Sequence, residues 1–404
     1  LMEIARMLHA APPARNDLIL LLTDGEEVDL LGARGFVAEH PWAQDVKVVI
    51  NMEARGTSGR SLLFQTSDDD AWLIALFARS VPLPTTSSLY YEVYKHLPND
   101  TDFTVFKAHG MEGYNFAFIR DARNYHTAQD NLANADMGSL QHHGDNAWHL
   151  LTALADLDLE KHPGGRAIYT DVMGQFLLWW PASLNLALAC GVLLLTLVAG
   201  GIAYRRGSLR TLRARTFALF PLALLGVLLL GQLCDMTLRS AGLFPNKWVD
   251  QPLPLALAFW LVALLAVGGL ARLLLAGKTE RWGVWLGVWL WWNALGVLIA
   301  WLVPGASYLF LLPGGVAAIC GLLAALTPQS LREAGLLGAS GVGAFAAGVL
   351  WLPLQILLYD AIGFWLGAVY AATAGLLILT AIPLLSGASP NPPDAGMATS
   401  EPSS

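Results

Sequence analysis

The sequence predicts an α/β fold, a partial and mostly parallel sheet flanked by helices, followed by an all-α polytopic membrane domain. Three observations carry this expectation. Two short apolar runs, Leu18 to Leu22 and Val46 to Met52, each end in carboxylates and are separated by helical periodicity, the order of a parallel strand-helix-strand unit. Ionisable groups concentrate in residues 1 to 171, where all 9 His and 24 of the 31 Asp/Glu lie with 13 of the 24 Lys/Arg. Beyond it, about seven apolar runs of span length follow one another.

The elements read in order as follows. Leu1 to Ala10 is an amphipathic helix from its first residue, with Leu1, Ile4, Ala5 and Leu8 at helical spacing. The chain opens on Leu rather than an initiator Met, so it is expected to be a fragment lacking its N-terminal part, and no signal peptide is visible. Leu18 to Leu22 is expected as a strand buried on both faces, ending in Asp24, Gly25, Glu26 and Glu27. Carboxylates at the carboxyl end of such a strand stand where open α/β sheets bind ligands; a solvated turn before a helix is the competing reading. Leu30 to Glu39 reads as a helix stopped by His40-Pro41, and Val46 to Met52 as a second strand ending in Glu53, so that Glu26, Glu27 and Glu53 open onto one edge. Gly56 and Gly59 mark a turn, Ser61 to Thr66 a strand and Asp70 to Ser80 a helix. Pro82 to Asn99 is expected as a long irregular loop, Asp102 to His109 as a short helix and Gly113 to Ile119 as a strand. A polar loop carrying Tyr125 and His126 follows, and Asp136 to Leu159 is a long helix on which His142 and His143 are expected at the surface.

DGEE after a strand, NMEARG after the next, LPNDTDF and NYHTAQDN together resemble the co-catalytic zinc aminopeptidases, family twenty-eight of the metallopeptidases, and within it the membrane-bound branch. The resemblance covers about residues 1 to 160 and implies the C-terminal portion of a zinc peptidase domain. It implies that Glu26 is the general base toward the attacking water, that Glu27 and His126 ligate one zinc and that Glu53 ligates the other. Tyr125 matches a position that donates to a developing oxyanion, and Asp100, Asp102 and Phe103 resemble substrate-pocket residues. Asp130 is either an outer partner of His126 or the cap of the next helix. The family's His-x-Asp motif and metal-bridging Asp belong upstream of the helix that opens this chain and are expected there, so the chain alone is expected to be inactive. Two zinc ions and a peptide substrate are the implied cofactor and ligand.

Residues 161–176 read as a linker, and spans are expected near 177–203, 216–234, 252–276, 282–303, 306–326, 335–358 and 362–385, with a disordered Pro/Ser/Gly-rich tail at 386–404. Trp179, Trp180, Trp248, Trp282 and Trp301 stand near span ends as an aromatic belt would, and Asp235 and Asp360 are expected to snorkel to the interface. Arg205, Arg206, Arg210, Arg213 and Arg215 crowd the first connection, Arg272, Lys278 and Arg281 the third and Arg332 the fifth, whereas the alternate connections hold Arg239 and Lys247. The positive-inside rule then makes residues 1–171 extracytoplasmic. An acidic soluble part without a basic stripe argues against nucleic acid as a partner, and Cys190, Cys234 and Cys320, all in or beside apolar runs, support neither a disulfide framework nor a thiolate zinc site. The expected function is a membrane-anchored zinc exopeptidase of aminopeptidase type. A catalytically inactive peptidase-like binding ectodomain is the alternative, and a transporter with an accessory ectodomain is disfavoured by the scarcity of ionisable groups in mid-span.

Overall fold

The computed structural model describes every residue except 211, 244–247, 250, 278 and 387–404, so Lys247, Lys278 and nearly all of the expected tail lie outside the described residues. The first part holds α1 (Met2–His9), α2 (Leu31–Glu39), β1 (Val48–Ala54), β2 (Leu62–Thr66), α3 (Ala71–Ser80), α4 (Ser88–Tyr94), α5 (Asp102–Ala108), β3 (Glu112–Phe118) and α6 (Met137–Ala155). Its sheet is small and mixed, in the order β1-β3-β2. β1 runs parallel to β3, with Val48 opposite Glu112 and Ala54 opposite Phe118, and β2 is antiparallel to β3. β3 is central and buried on both faces: Tyr114 and Phe116 on one face pack with Leu73, Phe77 and Leu150, and on the other the buried Asn115 donates to Gln65 and Thr101.

Leu18 to Leu22 departs from expectation. It forms no strand, Leu22 is 72% exposed, and a cleft of about 1220 Å³ separates the segment from β1. Side-chain anchors explain its position. Asn16 donates through Nδ2 to the Leu154 and Leu157 carbonyls at one end, and Thr23 Oγ1 donates to Asp102 at the other, so α6 and α5 hold the segment away from the open edge of β1. The first helix borders the same cleft: Leu1 and Ile4 line it, and Met2 is 77% exposed.

The stretch read as one loop, 82–99, contains α4, capped by the Ser87 hydroxyl accepting from Leu89 N. The stretch read as linker contains β4 (Ala167–Val172), which pairs antiparallel with β5 (Phe176–Pro181). The first span therefore starts later than expected, its helix α7 covering Asn185–Arg205. The other spans are α8 (Ala214–Ser240), α9 (Pro252–Leu274), α10 (Arg281–Leu302), α11 (Tyr308–Leu326), α12 (Arg332–Ile362) and α13 (Gly367–Leu385), seven membrane-span candidates among the described residues.

Amide and hydroxyl side chains inside the bundle pair with one another, whereas the indole N–H groups of Trp282, Trp285 and Trp289 have no hydrogen-bond partner among the described residues. Asn293 donates to Thr196 (2.9 Å), Ser307 to Asn185 (2.8 Å) and Gln355 to Thr373 (2.6 Å). Asp235 does not snorkel: it is buried and meets Arg239, one helical turn away, at 2.8 Å. Trp282 leaves the aromatic belt, because α10 turns it inward with Trp285, Trp289 and Trp292 into the bundle core, all four fully buried.

His143 also reverses expectation, being buried on the face of α6 that carries Asn146 and Leu150 and sharing a 2.7 Å hydrogen bond with Ser61 Oγ. Burial, aided by neighbouring His142, lowers its pKa from 6.5 to about 4. A depressed folded-state value favours folding while the imidazole is neutral, so this contribution, at most about 3 kcal/mol, is present above pH 6.5 and is lost as pH falls toward 4. The protection factors of the Ser61 and β2 amides, taken relative to intrinsic exchange at each pH, should therefore fall across that window in the intact protein, and His143→Gln should flatten the dependence.

Candidate metal centre at the sheet edge

Three chain segments converge beyond the carboxyl ends of β1 and β3. The first is the turn after Thr23, where Gly25 adopts φ 71°, a left-handed conformation that costs glycine little. Asp24 accepts from Gly25 N and Gly32 N, which folds the turn back onto α2 and leaves Glu26 and Glu27 facing out of it. The second is the end of β1. Asn51 and Glu53 share a strand face, and Asn51 Nδ2 donates both to Glu53 (3.2 Å) and to Asn115 on β3 (2.9 Å). The third is the loop from Arg120 to Asn131.

The second and third segments are laced together. A Cβ at Gly56 would overlap the Arg120 carbonyl, Thr57 N and Ser58 N donate to that carbonyl, Ser58 Oγ donates to Asp121 (2.7 Å) and Asn124 Nδ2 to Thr57 Oγ1 (3.0 Å). His126 sits at φ 57°, a conformation unusual for a residue with a Cβ, and its ring stacks on Tyr125 with centroids 3.8 Å apart. This aims His126 Nε2 at Glu27 Oε1, 2.7 Å away across a sequence separation of 99 residues.

The charge balance is one-sided. Burial pushes the Glu53 carboxyl up to about 7, opposed by the Asn51 hydrogen bond and reinforced by Glu26, Asp102 and Glu27. Glu26 is raised for the same reasons, burial first and then the Glu27 and Asp102 carboxylates, while His126 pulls the other way. Burial and the same glutamates raise the Tyr125 phenol. Asp102 is buried, with one oxygen taken by Thr23 and the other, Oδ1, without a hydrogen-bond partner.

Of the expected site residues, Glu26, Glu27, Glu53, Tyr125, His126 and Asp102 come together. Asp100 is exposed at the start of α5 and accepts from Thr104 Oγ1 (3.2 Å). Phe103 is corrected: it is fully buried with Phe36, Phe106 and Leu30, because the first turn of α5 points it into the core rather than the cleft. Sequence reasoning missed Thr23 and Asn51, which fix Asp102 and Glu53; their signal is positional, Asn51 lying two residues before Glu53 on the same strand face.

The donor chemistry suits a divalent cation. Carboxylate oxygen and imidazole nitrogen are the zinc ligand types, and Glu27 and His126 aim lone pairs at one point and share a proton that a cation would displace. Among the described residues, however, no group of three or more His, Cys, Asp or Glu is arranged to hold a metal.

Comparison with known proteins bears out the resemblance drawn from the motifs. Residues 1–151 match the model of Peptidase family M28. The chain is 32% identical over 193 residues to "Endoplasmic reticulum metallopeptidase 1" of Homo sapiens, covering 46% of this chain and 21% of that protein. It is 30% identical over 190 residues to the "Vacuolar membrane protease" of Yarrowia lipolytica, covering 46% and 18%. A similar protein of that name from Meyerozyma guilliermondii matches at 29% over 260 residues, 59% of this chain and 25% of its own, a length that reaches into the membrane part. The chain spans about a fifth of the length of these relatives. No solved structure matches.

The loop bearing Tyr125 and His126 also stands on the membrane part: Arg120 pairs with Asp360 near the end of α12 at 3.4 Å. Asp360 is thus paired rather than snorkelling. Asp360→Ala should raise amide exchange over residues 120–127 while leaving β2 unchanged, an outcome that mass spectrometry of the intact protein can read.

Proposed function

We propose that the protein is a membrane-anchored zinc metallo-exopeptidase of the aminopeptidase type, with its peptidase part on the extracytoplasmic side. The observation that carries this reading is the Glu27–His126 pair with Glu26 beside it and outside the pair. Glu27 and His126 would hold one zinc ion and Glu53 a second. Bound there, zinc supplies a Lewis acid and lowers the pKa of water toward about 7. Glu26, held in a half-buried position, takes the proton from the attacking water and returns it to the leaving amine. The Tyr125 hydroxyl donates to the developing oxyanion, and its stacking on His126 fixes the ring. Asp102 and Asp100, at the start of α5, would receive the substrate's free amine by charge. Two donors for one zinc and one for the other fall short of the three that sites of this class use, so further ligands from a longer chain would complete both. The extracytoplasmic placement rests on the arginine-rich first, third and fifth connections.

In a preparation with peptidase activity, Glu26→Gln should leave zinc content nearly unchanged and lower kcat by roughly 10²-fold or more. Glu27→Gln should instead lower the zinc content; the reverse pattern would exchange the two roles. Unchanged activity in Glu26→Gln would favour a binding ectodomain over an enzyme. Reporter fusions at Ser208 and Gly242 should report opposite compartments, with Ser208 cytoplasmic.

A further inference from the structure

We infer that the β4–β5 hairpin is a membrane-seating element, resting on the lipid of the leaflet nearest the peptidase part. Strand parity supplies the first argument. Ile168 on β4 belongs to the core of the helix bundle, and its partner Trp180 packs on the same helices and donates to Asn185 (3.2 Å). Ala167 and Tyr169, one residue away on either side, belong instead to the core of the α/β part, as does Leu177 at its edge. The hairpin is therefore a layer between the two parts, with its even-numbered face toward the membrane helices. Phe176 and Leu178 share that face with Trp180, yet they are 53% and 38% exposed, so this end of the face extends past the helices that cover Ile168 and Trp180. Met173, at the turn, is 59% exposed.

Depth supplies the second argument. α11 is 19 residues long, about 28 Å, close to the hydrocarbon thickness of about 30 Å. Trp351 Nε1 donates to the Leu309 carbonyl, which levels Trp351 of α12 with the start of α11 and hence with the hydrocarbon edge. Met173 shares a small cavity with Tyr308, Val349, Leu350 and Leu354, so the hairpin turn lies at that edge. No Asp, Glu, His, Lys or Arg occurs from Val172 through Tyr204, and Asp171, just before, is held by Thr86 N and Gly174 N. An uncharged aromatic edge at the hydrocarbon boundary, continuous with the first span, fits the headgroup and upper acyl layer. The overhang thereby fixes the height of the peptidase part above the bilayer, and this holds whether or not the part is an enzyme.

The test uses the full chain in lipid nanodiscs, with Cys190, Cys234 and Cys320 replaced and a single nitroxide-labelled cysteine introduced in turn at Phe176, at Leu132 as a water-exposed control and at Leu194 as a lipid-exposed control. All three positions are exposed, so the labels do not disturb packing. The expected result is a collision rate with a nickel chelate several-fold lower at 176 than at 132, together with an oxygen collision rate approaching that at 194. A label at 176 that behaves like the one at 132 would overturn the inference. Shielding at 176 from both reagents would mean that protein, such as a second copy of the chain, covers the overhang, and would overturn it equally.

Discussion

Parallel pairing of β1 with β3 sends two chain segments out of the sheet at the same end, and the candidate site depends on this geometry. The register places Glu53 opposite Ala117, one pair from the end of the ladder, so the exits of β1 and β3 emerge side by side. Gly56 allows the Arg120 carbonyl to approach, and the hydrogen bonds around it bind the exits into one unit carrying Glu53, Tyr125 and His126. Glu26 and Glu27 reach the same place without a ladder, held by the Gly25 turn and by the Thr23–Asp102 hydrogen bond. Four carboxylates then crowd one histidine. Such a cluster is costly without a cation, and a divalent ion among its members would reverse the cost.

The membrane part serves this arrangement mechanically. α12 continues about 16 Å beyond the level of Trp351 and meets Arg120 near its end, just before the loop that carries the histidine. Arg239 of α8 donates to the Phe364 carbonyl (2.7 Å), which braces the connection between α12 and α13. β4 and β5 join the two cores, one strand face in each. The α/β part is thus fastened to the bundle through ion pairing, a shared sheet and the buried Ser87–Tyr308 hydrogen bond at 2.7 Å.

Much of this was legible in the sequence, for reasons that differ by element. Val46 to Met52 and Gly113 to Ile119 are recognisable because their apolar runs pair with each other in the sheet, and the residues that follow them carry the site. Leu18 to Leu22 has the same composition but no paired edge, and composition alone cannot say whether a partner strand is present. The run FLLWWP was read into a span because it adjoins α7 and shares its hydropathy; only pairing with β4 reveals a strand. α4 hid within a long stretch because SLYYEVY is short and rich in aromatic and β-branched residues, and tertiary contact outweighs its weak propensity. Phe103, His143 and Trp282 were misplaced for a common reason: the sequence gives helical spacing, but which face meets the core depends on neighbours distant in the chain.

Glu27 and His126 would form the start of a divalent-cation site that needs further donors. A zinc-binding isotherm on this chain in detergent tests it most directly, with His126→Ala as the control. The expected result is weak binding, below two ions per chain, that disappears in His126→Ala. Stoichiometric binding of two zinc ions, or weak binding indifferent to His126, would contradict it.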